Sequence, residues 1–470
     1  MRPLAAARDP VKNNRAAFPV DLCLSVMLLG FLIGVSACSL YDAPVPTLET
    51  RLVATSVPLP TATSGRALPI NATSSHPVDP RVSALLEKVQ SDRLMQTVSA
   101  MADMRTRHIL SRPAATSGIN AARDWLIRQL GAIRDANPTR PIDVWTQPVP
   151  MIFNGVRLTT QNVVTVFQGT DIGGGVVVVG AHYDSMSADF YNGTTAAPGA
   201  NDNGSGVAAL LEIARIVAPT PHRATIMFVA FTAEETGRQG SLAFVKDYLQ
   251  AQTPPIDVRG MINLDIIGSD VGPNGEVDPR AIRVFSAEPN SSSSRQLARQ
   301  LALFVGTYMD DVTIVLQSAE ERVGRWGDQQ SFSAAGYPAL RMIEGLENTT
   351  RQYSALDTVD NVQADYLMRT TRTALVGVVL MADGPLPPAD VARRTTPSGD
   401  LLVWTPAAGA SGYVIALRAA NSLGYDQVLV VDHGTQITWD GLARYTYVAV
   451  GSVDASGRMG PLSMELDITK

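Results

Sequence analysis

One imidazole and five carboxylates stand where they could act together. His182 and Asp184 follow the apolar run Val176–Val179, and Glu234 and Glu235 follow a second run, Thr225–Phe231. Asp265 ends a third, inside GMINLDIIG, and Asp202 lies in the glycine-rich segment APGANDNGSG just ahead of a helical pattern. An imidazole with three carboxylates is a donor set suited to zinc, or to cobalt or manganese as substitutes. A carboxylate shared between two cations can bridge them, and adjacent metals can clamp both the attacking and the departing oxygen. Asp184, two residues after His182, projects the same way on a strand and is placed to accept the imidazole's other N–H. The adjacent Glu234 and Glu235 diverge on an extended segment, so one can bind metal while the other faces water as general base. These parts suggest hydrolysis of a carbonyl bond. Singly, each has a plainer reading: a helix cap for Asp202, a solvated acidic pair for the glutamates, a satisfied core residue for His182. The chemical reading is favoured because each polar insertion falls just after an apolar strand, on one edge of one sheet.

The positioning elements follow from periodicity. Val176–Val179 shows no alternation, which predicts a strand buried on both faces, as in a parallel sheet. Thr225–Phe231 and Gly260–Gly268 read the same way, and Val163–Phe167 and Tyr337–Ile343 add further strands. Helical spacing predicts helices over Ala121–Leu130, after Val207, and over Ser241–Leu249, Ser294–Val305 and Asp365–Met381. The fold class expected is α/β, with a mixed, mostly parallel sheet sandwiched between helices. In such sheets ligands bind beyond the carboxyl ends of the strands.

Composition narrows the functional classes. The 470 residues carry 38 Lys plus Arg against 44 Asp plus Glu, a net charge of −6. A mildly acidic chain with 17% charged residues offers no basic face, so no nucleic-acid partner is expected. With 45% hydrophobic residues it can fill a core, which excludes wholesale disorder. The two cysteines, Cys23 and Cys38, lie near the N-terminus, so the body has no disulfide framework and no cysteine-based metal site. Any metal must draw on carboxylates and on His76, His108, His182, His222 and His433.

The segments GAHYDS, PGANDNGSG, FTAEETGRQGS and MINLDIIG, in this order, resemble the co-catalytic zinc aminopeptidase family. Glutamate carboxypeptidase II and glutaminyl cyclase are relatives of that family. The resemblance spans residues 81–385. It implies that His182, Asp202 and Asp265 hold one zinc, that Asp202 bridges to a second held by Glu235, that Glu234 is the base, and that Asp184 orients the histidine. RVGRWGDQQSF, Arg322–Phe332, resembles the stretch the family often writes Ser-Asp-His, with Gly327-Asp328-Gln329 in its place. One departure stands out. The family carries its second metal-binding histidine four residues before an Asp-Thr or Glu-Thr pair; here the pair is Asp357-Thr358 and the position is Tyr353. A phenol, with an ordinary pKa of about 10, binds zinc only if the metal depresses it. Three outcomes stay open: Tyr353 binds the second metal, the second site is weak and one metal works, or the protein binds metal with much of its activity lost.

Both ends add modules. Residues 1–37 combine basic residues, the apolar stretch Leu22–Ala37 and the break Val35-Ser36-Ala37-Cys38, which resembles a bacterial lipobox. That implies a lipidated Cys38 in the membrane and an extracytoplasmic body. Residues 38–80, rich in Pro, Ser and Thr, read as a tether. Residues 391–470 alternate as short strands, with Trp404, Tyr413 and Tyr447 expected in their core. They resemble a fibronectin type III domain, a small all-β sandwich suited to protein or carbohydrate contact. The expectation is a membrane-tethered zinc metallopeptidase, an aminopeptidase acting on peptides. Against it stand a non-catalytic binding or adhesion protein and a single-metal, glutaminyl cyclase-like enzyme, both raised by Tyr353.

Overall fold

Apolar runs without alternation become the middle of a sheet. The computed structural model describes residues 72–73, 78–397 and 399–470; the signal segment, Cys38 and nearly all of the tether lie outside the described residues. Among the described residues, eight strands form the large sheet: β1 (Ile142–Phe153), β2 (Val156–Phe167), β3 (Val176–His182), β4 (Thr225–Phe231), β5 (Val258–Leu264), β6 (Ala281–Ser286), β7 (Thr313–Leu316) and β8 (Ala339–Glu344). Their order is β1-β2-β4-β3-β5-β8-β6-β7. The central strands β4, β3, β5 and β8 run parallel, while β1, β2 and β6 join by antiparallel pairings. Pro148 and Pro150 lie in β1, at the sheet's edge, where a missing N–H costs no ladder bond.

Helices cover both faces. They are α1 (Pro80–Leu86), α2 (Ser91–Ala102), α3 (Gly118–Asp135), α4 (Gly206–Val217), α5 (Gln239–Phe244), α6 (Ser293–Tyr308), α7 (Gln329–Ala334) and α8 (Ala364–Asp383). Successive residues of β3 serve opposite layers. Val177, Val179 and Ala181 pack in the cluster built by α2, α3, α4, α6 and α8. Val176 and Val178 pack with Phe244 of α5 and Phe332 of α7. Seven of seven β3 residues are buried, which is why no alternation shows in the sequence.

Beyond Asp383 the chain is all antiparallel. β9 (Ala389–Thr396), β10 (Gly399–Thr405) and β13 (Gln436–Thr438) form one sheet. β11 (Gly412–Arg418), β12 (Gln427–Val431), β14 (Tyr447–Val453), β15 (Met459–Leu462) and β16 (Leu466–Asp467) form the other, and Ala72–Thr73 pairs along β12. Trp404 and Tyr413 are buried between the sheets as expected. Tyr447 is only partly buried, its ring lying 4.1 Å from the Arg418 guanidinium. The second sheet is covered on both faces. Tyr413, Ile415 and Leu417 face the other sheet, whereas Val414 and Ala416 join the cluster containing Leu297 and Leu301 of α6 and Leu375 of α8. The junction also buries Arg299 and Arg418, which share Glu465: Arg418 Nη2 donates at 2.6 Å and Arg299 Nη2 at 3.2 Å. A buried ion cluster adds little net stability, but losing one member leaves an uncompensated charge.

Candidate metal centre

The carboxyl ends of the parallel strands deliver the predicted residues to one place. β3 ends at His182, whose Nε2 lies 3.2 Å from Asp202 Oδ1 and 3.2 Å from Asp265 Oδ1. Donor atoms of His182, Asp202 and Glu235 all lie within 4.8 Å of one another. Two carboxylates aimed at one imidazole nitrogen, with a third at hand, repel unless a cation balances them. The set is hard-to-borderline N and O, which fits zinc. His182, Asp184, Asp202 and Asp265 are all at most 6% exposed.

Each candidate ligand is held by a traceable contact. The Asp202 loop precedes α4 and hangs on Asp357: the N–H groups of Asn201 and Asp202 donate to its two carboxylate oxygens at 2.8 and 2.9 Å. Asn203 ties the same loop to the end of β5, donating to the Leu264 carbonyl at 2.9 Å and accepting from the Ile266 N–H at 3.2 Å. That lock sets Asp202 beside Asp265. Gly206 permits it, because a Cβ there would stand 2.2 Å from the Leu264 carbonyl oxygen. After β4 the chain turns at Ala233, in the left-handed region at φ 55°, a conformation costing roughly 1–2 kcal/mol for an L-residue. Asp184 stabilises the turn, since its carboxylate accepts the N–H of Glu234 at 3.1 Å and of Glu235 at 3.2 Å.

Asp184 therefore does more than the expected orienting of His182. The imidazole Nδ1 lies 3.6 Å from its carboxylate and 3.2 Å from its backbone oxygen, so the contact is shared between the two. Arg341, in the apolar run of β8, escaped prediction. It is buried, its Nη2 lies 3.0 Å from Asp265 Oδ2, and its Nη1 donates to Glu321 at 2.9 Å. Asp328 is fully buried, and its carboxylate oxygens find no hydrogen-bond partner among the described residues.

Charge states follow from these contacts. Burial opposes protonation of His182, but Asp265, Asp184 and Asp202 outweigh it and raise the imidazole well above its usual range. Burial alone would raise Asp265; Arg341 and His182 overcome it and hold the carboxyl below the usual range. Burial raises Glu234 and Glu235 well above the ordinary carboxylate range, with neighbouring acids adding to it and His182 opposing. Burial, resisted by His182, pushes Asp328 up to about 7.

Tyr353 shares a cleft of about 370 Å³ with Glu234 and Glu235, lined also by Phe190, Tyr191 and Trp326. Burial, then the Glu235 and Asp202 carboxylates, push its phenol well above 10. No other histidine among the described residues joins the site. His222 Nδ1 lies 3.0 Å from Asp383, His108 Nε2 lies 3.1 Å from the Phe190 carbonyl, and His433 is exposed in the turn between β12 and β13.

The chain matches the model of peptidase family M28 over residues 162–378. It is 30% identical over 353 residues to a probable zinc metalloprotease of Pyrenophora teres f. teres, covering 68% of this chain and 72% of that protein. A counterpart from Pyricularia oryzae is 33% identical over 400 residues, covering 75% and 78%. Among solved structures, the Legionella pneumophila LapA aminopeptidase superposes with a TM-score of 0.52 at 22% identity, over 67% of this chain and 77% of that one. LapB from the same organism gives 0.51 at 21% identity, over 64% and 74%. Both share the fold.

Proposed function

Since the chain belongs to peptidase family M28 and is a zinc metallopeptidase, we propose that it is an aminopeptidase, tethered outside the cytoplasm through a lipidated Cys38. The observation that carries the aminopeptidase reading is the pair of carboxylates, Glu234 and Glu235, at the inner end of a cleft of about 370 Å³. A peptide's amino end placed there would lie beside the metal-holding residues, while its first side chain meets the aromatic walls.

Under this reading His182, Asp202 and Asp265 would hold one zinc, and Asp202, Glu235 and Tyr353 would contribute to a second, weaker site. Zinc bound there supplies Lewis acidity toward the scissile carbonyl and acidifies water. Glu234 takes the proton of the attacking water on its carboxylate and returns it to the departing amine. Its burial, which disfavours the charged form, makes it a ready acceptor. Asp184 fixes Glu234 and Glu235 through their backbone N–H groups and steadies the His182 ring. Phe190, Tyr191 and Trp326, exposed along the cleft, offer apolar walls to a bound side chain.

Paired substrates test the reading. The full chain loaded with zinc is expected to hydrolyse leucine p-nitroanilide and to leave its N-acetylated form intact. A chelator should abolish the activity and added zinc restore it. Equal cleavage of the free and the blocked substrate would remove the aminopeptidase reading.

A further inference from the structure

We propose that Arg325 is a carboxylate-reading specificity residue, so that the site selects short peptides whose free carboxylate reaches the rim of the cleft. The proposal rests on the aminopeptidase reading and names its substrate class. Of the charged residues lining that cleft, Glu234 and Glu235 are acidic and Arg325 alone is basic. Three arginines behind the cleft are matched. Arg283 donates to Glu347 at 3.0 Å, Arg322 pairs with Glu321 and Glu347, and Arg341 pairs with Asp265 and Glu321. Among the described residues, Arg325 has no carboxylate within ion-pair reach, and its side chain makes no hydrogen bond. In a chain of net charge −6, a half-buried guanidinium beside two glutamates but paired with neither is held there by something else.

That something is Tyr353. The Arg325 guanidinium lies over its ring, 5.0 Å from the centroid. Phe190 contacts the same ring edge-on at 6.3 Å, bracing it. A cation–π contact uses none of the guanidinium's N–H donors in a hydrogen bond and leaves them available to a bidentate carboxylate. The metal-holding residues at one side and a cation at the other side of one cleft complement a short peptide, its amino end toward Glu234 and Glu235 and its carboxylate toward Arg325. The volume, about 370 Å³, lies within the roughly 300–1,000 Å³ of small-ligand pockets. The position at the family's histidine then has a second use: Tyr353 is the platform on which the arginine rests.

The same carboxylate could be the peptide's C-terminus or an acidic side chain. The test compares Leu-Ala, Leu-Ala-amide and Leu-Glu-amide on the zinc-loaded full chain and on Arg325→Met, reading kcat/KM. Dissociation constants are measured on the Glu234→Gln background with and without Arg325→Met. A charge-assisted contact predicts roughly 10- to 100-fold preference for Leu-Ala over its amide, carried by KM and absent in the variant. If Leu-Glu-amide shares the preference, Arg325 reads side-chain carboxylates as well. Equal kcat/KM for acid and amide in wild type, or a preference that survives Arg325→Met, would overturn the proposal. If nothing is hydrolysed, the aminopeptidase reading fails by itself, and the binding constants still decide: an affinity gap lost with Arg325 supports its role, and no gap ends it.

Discussion

Glu234→Gln is expected to lower peptide hydrolysis by roughly 10²- to 10⁴-fold, the usual contribution of a positioned general base, while zinc content stays that of the parent. The change is isosteric, so the turn at Ala233 and the backbone N–H donations to Asp184 survive. What is lost is the basic carboxylate that takes the proton from water. Because that step belongs to the reaction and not to ground-state binding, the loss should fall on kcat and leave KM nearly unmoved. Paired kinetics and metal analysis on the same preparation check it. A variant that keeps full rate removes Glu234 from the proton path; one that loses its zinc makes Glu234 a ligand.

Asp202→Ala is expected to have the largest effect on metal. Losing an outer partner of a metal ligand costs roughly 10- to 100-fold in affinity or activity, and a direct donor should cost at least the upper end of that range. Under the proposed reading Asp202 serves both candidate positions. Its Oδ1 is 3.2 Å from His182 Nε2, and it belongs with Glu235 to the same converging group. Removing it also leaves Asp357 holding a loop that no longer carries a ligand. Isothermal titration of zinc into the metal-stripped full chain reads the affinity directly. Asp357→Asn serves as comparison: it keeps one acceptor for the loop and should weaken zinc by less. If Asp202→Ala binds zinc like the parent, Asp202 is a loop residue and no ligand.

The centre of the fold was legible because its signals are local. A run such as Val176–Val179, apolar at every step, can lie only between two layers, and β3 does. Polar residues that interrupt such runs at the strand ends, His182, Glu234 and Asp265, had few other places to go. The periphery was less legible. β1 mixes two prolines with partly exposed positions and shows no clean period, since an edge strand is covered unevenly. β6 and β7 are short, and their pairing partners lie elsewhere in the chain. The C-terminal strands read as a separate half-buried sandwich, yet Val414 and Ala416 are capped by α6 and α8. Alternation of one apolar residue with another does not say which neighbour each will meet.

The site followed the same divide. Its donors announced themselves by position after strands, whereas their supports did not. Arg341 sits inside an apolar run and could be read only once Asp265 was known to lie 3.0 Å away. Asp357 acts on a loop 155 residues earlier in the chain. Asp328 stands where the resembling family often writes Ser-Asp-His, and its burial together with the pull of the His182, Asp265 and Asp184 charges on its carboxyl places it among the polar residues of the site.

Diffraction from crystals of the zinc-loaded protein, recorded on both sides of the zinc absorption edge, bears most directly on the whole account. It predicts an anomalous peak within about 2.0–2.2 Å of His182 Nε2 and of carboxylate oxygens from Asp202 and Asp265, with any second peak beside Glu235. A map with its strongest zinc peak elsewhere, and none among these side chains, would contradict it.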